Sequence, residues 1–425
     1  MSSTPQTERF LEPATLLDPY PFYASHRRHG PLVRLENGDR ETWLVIGHDA
    51  IREALALPQI FSSRPNGVQG VNFYPKAEEL LKSRGFGRVP HVITMDPPRH
   101  AAYRGVLGKL LRDKRFHQMR PQIRAIANAL VDGFESAGAC EFVHDYAWKL
   151  SVLVVADLLG VARADIDDFK RWSDAWVRPL LQPLTEAEMM QCAGLMADLQ
   201  HYLVAAIENR EHQPRDDLLT DIAQATIDLG KGEVPLRRHE QLGLLEALIV
   251  AANDSTANAL ALGMLRLVEF PELIPRLRGD LKQIERFAEE SLRYESAVQN
   301  NFRTAREACQ LAGVQIGQGA LVLLSWGAAN RDAAAFADPD AFSLDRPGLR
   351  SHLAFGGGNH TCAGASLARQ ELVESFEILL RRLDHLRLPD TRQPGDLRRS
   401  GGLVTHGLAS LPLQFRKRDR PPLGG

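Results

Sequence analysis

Cysteine is scarce in this chain: four in 425 residues, at Cys140, Cys192, Cys309 and Cys362. None forms a C-x-x-C pair and their spacing is wide, so neither a disulfide framework nor a paired-cysteine zinc site is expected. A reducing cytoplasm is the simpler expectation. Net charge is almost absent as well. The 51 Lys and Arg against 53 Asp and Glu leave −2, which supplies no overall field for nucleic acid or an anionic membrane. The opening residues MSSTPQTERFLEPATLLDPYPFYASHRRHG lack a basic segment followed by an apolar one, so no signal peptide is expected. No apolar run reaches membrane-span length. The most apolar stretch, 247–264, carries Asn253, Asp254, Ser255, Thr256 and Asn258, which a lipid-facing helix would avoid. Phosphate loops are missing too: a dinucleotide fingerprint at FGGGNH would need a glycine at Thr361, and no Gly-Lys-Ser/Thr follows.

What is present is ordinary globular composition, 44% hydrophobic and 24% charged. The pattern predicts one mainly helical domain over 11–415, with flexible ends at 1–10 and 416–425. PLVRLENGDRETWLVIG reads as a hairpin around NGD, and HDAIREALALP as a helix. Residues 62–94, rich in Gly and Pro, read as a long loop. From Pro98 to about Gly230 apolar residues recur at three and four, helix after helix, ending with DDLLTDIAQATIDLG. A very long helix is expected from about Leu236 to Glu269, stopping before Pro271, and DLKQIERFAEESLRYES forms another. Short strands follow in FRTAREACQLAGVQIGQGALVLLSWGAA, and GGLVTHGLASLPLQF closes the chain as a hairpin.

The segment HLAFGGGNHTCAGASLARQE, 352–371, sets one cysteine between a glycine-rich turn and a helix start. A buried inert cysteine needs no such setting. A thiolate metal ligand does, because its charge needs nearby donors and a helix N-terminus supplies oriented N–H groups. Glycines before it let the backbone approach a flat cofactor. The segment resembles the haem-binding signature of the cytochrome P450 family: Phe355, Gly356, Gly358, His360, Cys362, Gly364, Leu367, Ala368 and Arg369 fall on its pattern. The resemblance implies haem b, with Cys362 as the iron ligand and Phe355 against the sulfur side. It also implies that family's fold, a helical prism with a smaller β region and a long central helix over the haem.

Further segments follow in that family's order. In EESLR, Glu290 and Arg293 stand one turn apart, and Arg346 in FADPDAFSLDR would complete a structural triad. Haem carboxylates need cationic partners. The resemblance assigns His100, Arg104, Arg303 and His352 to them, His100 and Arg104 sharing a helix face at i and i+4. In LIVAANDSTANAL, the family pattern implies proton delivery by an acid and an alcohol, here Asp254, Ser255 and Thr256. Two departures stand out: Ala252 replaces a glycine and Ser255 replaces a threonine.

The implied activity is insertion of one oxygen atom from O2 into a small to medium hydrophobic substrate. The chain ends soon after its last helix, so electrons are expected from a separate ferredoxin or flavodoxin. Lys109, Arg112, Lys114 and Arg115 offer a basic face for such a partner, or a solvated surface. The substrate pocket would draw on 65–93, 174–190, the long helix, 295–302 and the hairpin near Thr405. The polar run Gln299, Asn300, Asn301 points to a hydrogen-bonding group on the substrate or to internal bonds. Two alternatives stay open: a peroxide-using or otherwise atypical haem-thiolate enzyme, and a non-enzymatic haem sensor or carrier.

Overall fold

The computed structural model describes residues 10–36, 39–64, 73–181, 184–390 and 397–418. The architecture is mainly helical with small sheets at the periphery, as expected. Its axis is the helix Arg238–Glu269, 32 residues and about 48 Å long at 1.5 Å per residue. It starts where Glu240 reaches back to the Arg237 N–H at 2.8 Å, and it ends at Phe270, before Pro271. Most of its positions are buried, as in a helix apolar on nearly every side. That explains why it is long and apolar enough to cross a membrane while lying mostly inside the fold.

Among the helices that pack on this axis are Trp148–Leu159, Leu281–Tyr294 and Ala365–Arg382. On the last, Phe376 is fully buried, and its ring occupies the space where a Cβ on Gly263 would stand, 2.5 Å away. The helix Glu186–His212 begins with a capping box, Thr185 Oγ1 accepting from the Glu188 N–H at 3.3 Å and Glu188 accepting from the Thr185 N–H at 2.9 Å.

A five-stranded sheet runs in the order Leu32–Leu35, Thr42–Val45, Leu321–Ser325, Asn300–Ala305, Phe61–Ser62. Only the pairing of Leu321–Ser325 with Thr42–Val45 is parallel. The first two strands pair as the hairpin expected around NGD; Asn37 and Gly38 of that turn lie outside the described residues. A three-stranded sheet joins Leu383–Arg387, Pro412–Lys417 and Ala139–Glu141.

Several expectations are corrected. The stretch 62–94 holds a helix, Pro75–Arg84, packed on Glu186–His212; residues 65–72 lie outside the described residues. Its sequence hides it because only Ala77 and Leu81 are buried, one i/i+4 pair. The helix beginning DDLL stops at Ala223, and Thr226–Asp228 is a strand. The closing hairpin is divided: His406–Ser410 pairs with Arg398–Gly401, whereas Pro412–Lys417 pairs elsewhere. Phe10 is fully buried against Phe22, ring centroids 5.1 Å apart. Arg416 and Lys417 are strand residues, and the Arg418 N–H donates to Arg382 O at 2.8 Å. Residues 1–9 and 419–425 lie outside the described residues.

Candidate functional site

Two glycines shape the loop before Cys362. Gly356 has φ +67° and Gly358 φ +61°, the left-handed region that a side chain rarely adopts. A Cβ on Gly357 or Gly358 would meet Leu55 at 2.8 or 3.1 Å, so this turn also fits closely against helix His48–Ala56. The loop then returns: the Cys362 N–H donates to Phe355 O at 2.9 Å. Gly364 caps the helix Ala365–Arg382, and its backbone N–H favours the Cys362 thiolate. Cys362 is solvent-accessible, yet surrounding protein desolvates its thiol and raises its pKa, against the pull of the Gly364 N–H, Arg104 and Arg369. The other three cysteines are less exposed, Cys192 fully buried, and burial raises the pKa of each.

The cations expected around a haem gather beside this loop. His100 and His360 face each other with ring centroids 4.0 Å apart. Arg104 donates to Thr361 O at 2.6 Å. Arg303, on strand Asn300–Ala305, is buried and donates to Phe302 O at 2.7 Å. Burial pushes the Arg303 pKa down to about 10, with Asp96 opposing. His360 is pushed down to about 3 by burial and by His100, Arg303 and Arg104; His100 is lowered by burial, Arg104 and Arg303. The nearby Asp96 is already engaged by Ser62 Oγ at 2.6 Å, the Ser63 N–H at 2.7 Å and Arg306 at 2.5 Å. Arg104 and the desolvated Arg303 bring positive charge here, the two imidazoles beside them are disfavoured as cations, and the carboxylate of Asp96 is already shared among other donors. Haem carboxylates would supply negative charge, so the residues present fit the group.

His352 is placed differently from its expected role. Its Nε2 bonds Glu289 at 2.8 Å and its Nδ1 accepts the Ala354 N–H at 3.2 Å, so both ring nitrogens are engaged by protein. Phe355 lies under the Arg369 guanidinium, 4.5 Å from ring centroid to Cζ. The expected triad is present: Glu290 accepts from Arg293 Nε and Nη2 at 2.7 and 2.8 Å and from Arg346 Nε at 3.2 Å, all three residues buried.

On the central helix, Ala251 is exposed, and Leu248, Val250, Ala252, Asp254 and Ser255 around it are only partly buried, so this part of the helix faces open space. Ser255 Oγ donates back to Ala251 O at 2.7 Å. Asp254 accepts from Asn258 Nδ2 at 3.0 Å. Burial raises its pKa to about 6, opposed by Asn258 and aided by Asp174. Thr256 is buried. Gln299 and Asn300 are turned into the protein: Gln299 Nε2 donates to Ser296 O at 2.9 Å and Tyr20 Oη at 3.2 Å, and Asn300 Nδ2 to Leu403 O at 2.7 Å. The pairing of Val298 with Thr405 does bring 295–302 beside the closing segment. Sequence reasoning passed over Glu289 and Asp96. The doubled glutamate of EESLR was the available signal for the first; nothing local marks the second.

A model of the cytochrome P450 family matches residues 166–411. The chain is 33% identical over 405 residues to the cytochrome P450 monooxygenase PikC of Streptomyces venezuelae, covering 94% of this chain and 92% of that protein. It is 34% identical over 405 residues to pentalenic acid synthase of Streptomyces avermitilis, covering 94% of each. Its structure is similar to that of cytochrome P450 CYP109Q5 from Chondromyces apiculatus, with a TM-score of 0.81 and 29% identity over 96% of this chain and 98% of that one. The chain belongs to the cytochrome P450 family. It is a haem-dependent enzyme, a cytochrome P450 monooxygenase.

Proposed function

We propose that the enzyme uses haem b held by Cys362 to convert a small to medium hydrophobic substrate, O2, two electrons and two protons into hydroxylated product and water. The observation that carries this reading is the exposed Cys362 between the glycine loop and the helix Ala365–Arg382, where the Gly364 N–H, Arg104 and Arg369 all favour its thiolate. When bound, haem supplies oxygen activation, and thiolate donation promotes O–O cleavage. The chain supplies position and protons. His100, Arg104, Arg303 and His360 would hold the haem carboxylates; His352 would act indirectly, through Glu289. Gly356 shapes the loop, Phe355 shields the sulfur and Gly364 donates to it. Asp254 keeps its proton up to about pH 6, well above an ordinary aspartate, because burial disfavours its carboxylate. Ser255 has committed its own proton to Ala251 O, so its lone pairs would accept from a water and orient it. Thr256 stands next to both.

Electrons would come from a separate ferredoxin or flavodoxin, and the compartment would be the cytoplasm. Exposed Arg112 and Lys114 support an acidic partner. A peroxide-using variant of the same chemistry draws support from the committed Ser255 hydroxyl. Turnover with partner and reductant, compared with peroxide alone, separates the two.

The ligand assignment is tested by the reduced carbon-monoxide spectrum. The wild type is expected to show a thiolate-type Soret band. Cys362→Ala should lose it, and Cys140→Ala, Cys192→Ala and Cys309→Ala should keep it. A thiolate band persisting in Cys362→Ala would overturn the assignment.

A further inference from the structure

Two successive glutamates on helix Leu281–Tyr294 serve separate networks. Glu290 closes the triad described above. Glu289, 4% exposed, accepts from His352 Nε2 at 2.8 Å and from Arg369 Nε and Nη2 at 2.6 and 3.3 Å, with Arg350 Nε at 3.5 Å. The Ala354 N–H donates to His352 Nδ1, which makes Nε2 the protonated nitrogen. His352 is therefore a fixed donor to Glu289, and it holds the carboxylate in place.

Arg369 is the consequential partner. Its guanidinium lies over the Phe355 ring at 4.5 Å, and the carbonyl of that phenylalanine accepts the Cys362 N–H. Through Phe355 its positive charge is thus held beside the Cys362 loop. A long arginine side chain would ordinarily sample many positions. Here the carboxylate fork and the ring fix it. The same carboxylate offsets its charge.

We infer that Glu289 is a positioning residue that sets the electrostatic field at the Cys362 sulfur, and through it the reduction potential of the haem iron, by orienting Arg369 and offsetting its charge. This rests on Cys362 being the iron ligand. Reduction adds one electron to the iron–thiolate unit. An uncompensated positive charge nearby favours the reduced form and moves the potential in the positive direction. The interior transmits that effect more strongly than water does.

The test is a charge cycle on the haem-loaded enzyme, read by spectroelectrochemical titration of the midpoint potential. Glu289→Gln removes the negative charge and should shift the potential positive. Arg369→Gln removes the positive charge and should shift it negative. The double variant removes one charge of each sign and should return near the wild-type value. Arg369 is partly exposed, so its variant carries the test if Glu289→Gln fails to fold. A purely structural Glu289 would lower the melting temperature and leave the potentials unmoved; that result, with the thiolate carbon-monoxide band intact, would overturn this inference alone. Absence of the thiolate band in the wild type would overturn the ligand assignment, and this inference with it.

Discussion

At the scale of single residues, Asp254 is the place where environment outweighs residue type. An aspartate in water is ionised at neutral pH, yet burial raises Asp254 to about 6. If it donates protons, the competent fraction falls tenfold per pH unit above that value, so turnover should decline as pH rises through about 6. Asp254→Asn should lower turnover and remove that inflection from the pH–rate profile. The stability effect has the opposite sign to a salt-bridged carboxylate. The folded state binds the proton more tightly than the unfolded chain, so ionisation costs stability as pH rises from about 4 to about 6. Above that window Asp254→Asn should unfold at higher denaturant than the wild type, and below it the difference should vanish. Ser255→Ala should keep haem content but release more hydrogen peroxide per reductant consumed. Unchanged coupling, measured from reductant, peroxide and product together, would remove Ser255 from proton handling and make Thr256 the next candidate.

Between elements, packing decides the sign of substitutions that look alike in sequence. Gly263 and Gly108 both sit inside helices, where alanine is favoured by about 1 kcal/mol. At Gly108 a Cβ meets nothing within 4 Å, so Gly108→Ala should stabilise. At Gly263 the Cβ would lie 2.5 Å from the fully buried Phe376 ring. Overpacking typically costs about 1–3 kcal/mol, which exceeds the helix gain, so Gly263→Ala should destabilise. Chemical denaturation of the two variants checks both signs. The Glu290–Arg293–Arg346 triad belongs to this scale too. It ties the Leu281–Tyr294 helix to the chain between Asn330 and Arg346, since Arg293 also donates to Asn330 O and Pro339 O at 2.8 Å.

For the whole molecule, the open question is how electrons arrive. The basic cluster that follows helix Arg99–Leu110 is partly neutralised within the fold. Lys109 stands 3.6 Å from Glu233 and Arg115 2.5 Å from Asp221. Arg112 and Lys114 are exposed, so they carry the test of a docking face. Charge reversal at Arg112 and Lys114 should weaken turnover at subsaturating ferredoxin more than reversal at Lys109 and Arg115, and added salt should weaken it in the wild type. Salt-independent turnover, unaffected by these reversals, would remove the cluster from docking.

The sequence by itself determined the cysteine's setting, because a glycine turn, a cysteine and a helix start are contiguous and their chemistry is local. It determined the long helix and the Glu290–Arg293 pair for the same reason, through period and spacing, while Arg346 as the third member came from the family resemblance. Tertiary structure decided the rest. The helix Pro75–Arg84 has too few buried apolar positions to show a period, and its packing on Glu186–His212 gives it a place. Gln299 and Asn300 read as possible substrate contacts, but they meet Tyr20 and Leu403, far away in the chain. The partners of Glu289 lie 63 and 80 positions downstream. A buried polar group must find a partner, and which one it finds depends on what the fold brings within about 3 Å. Spacing along a chain does not encode that distance.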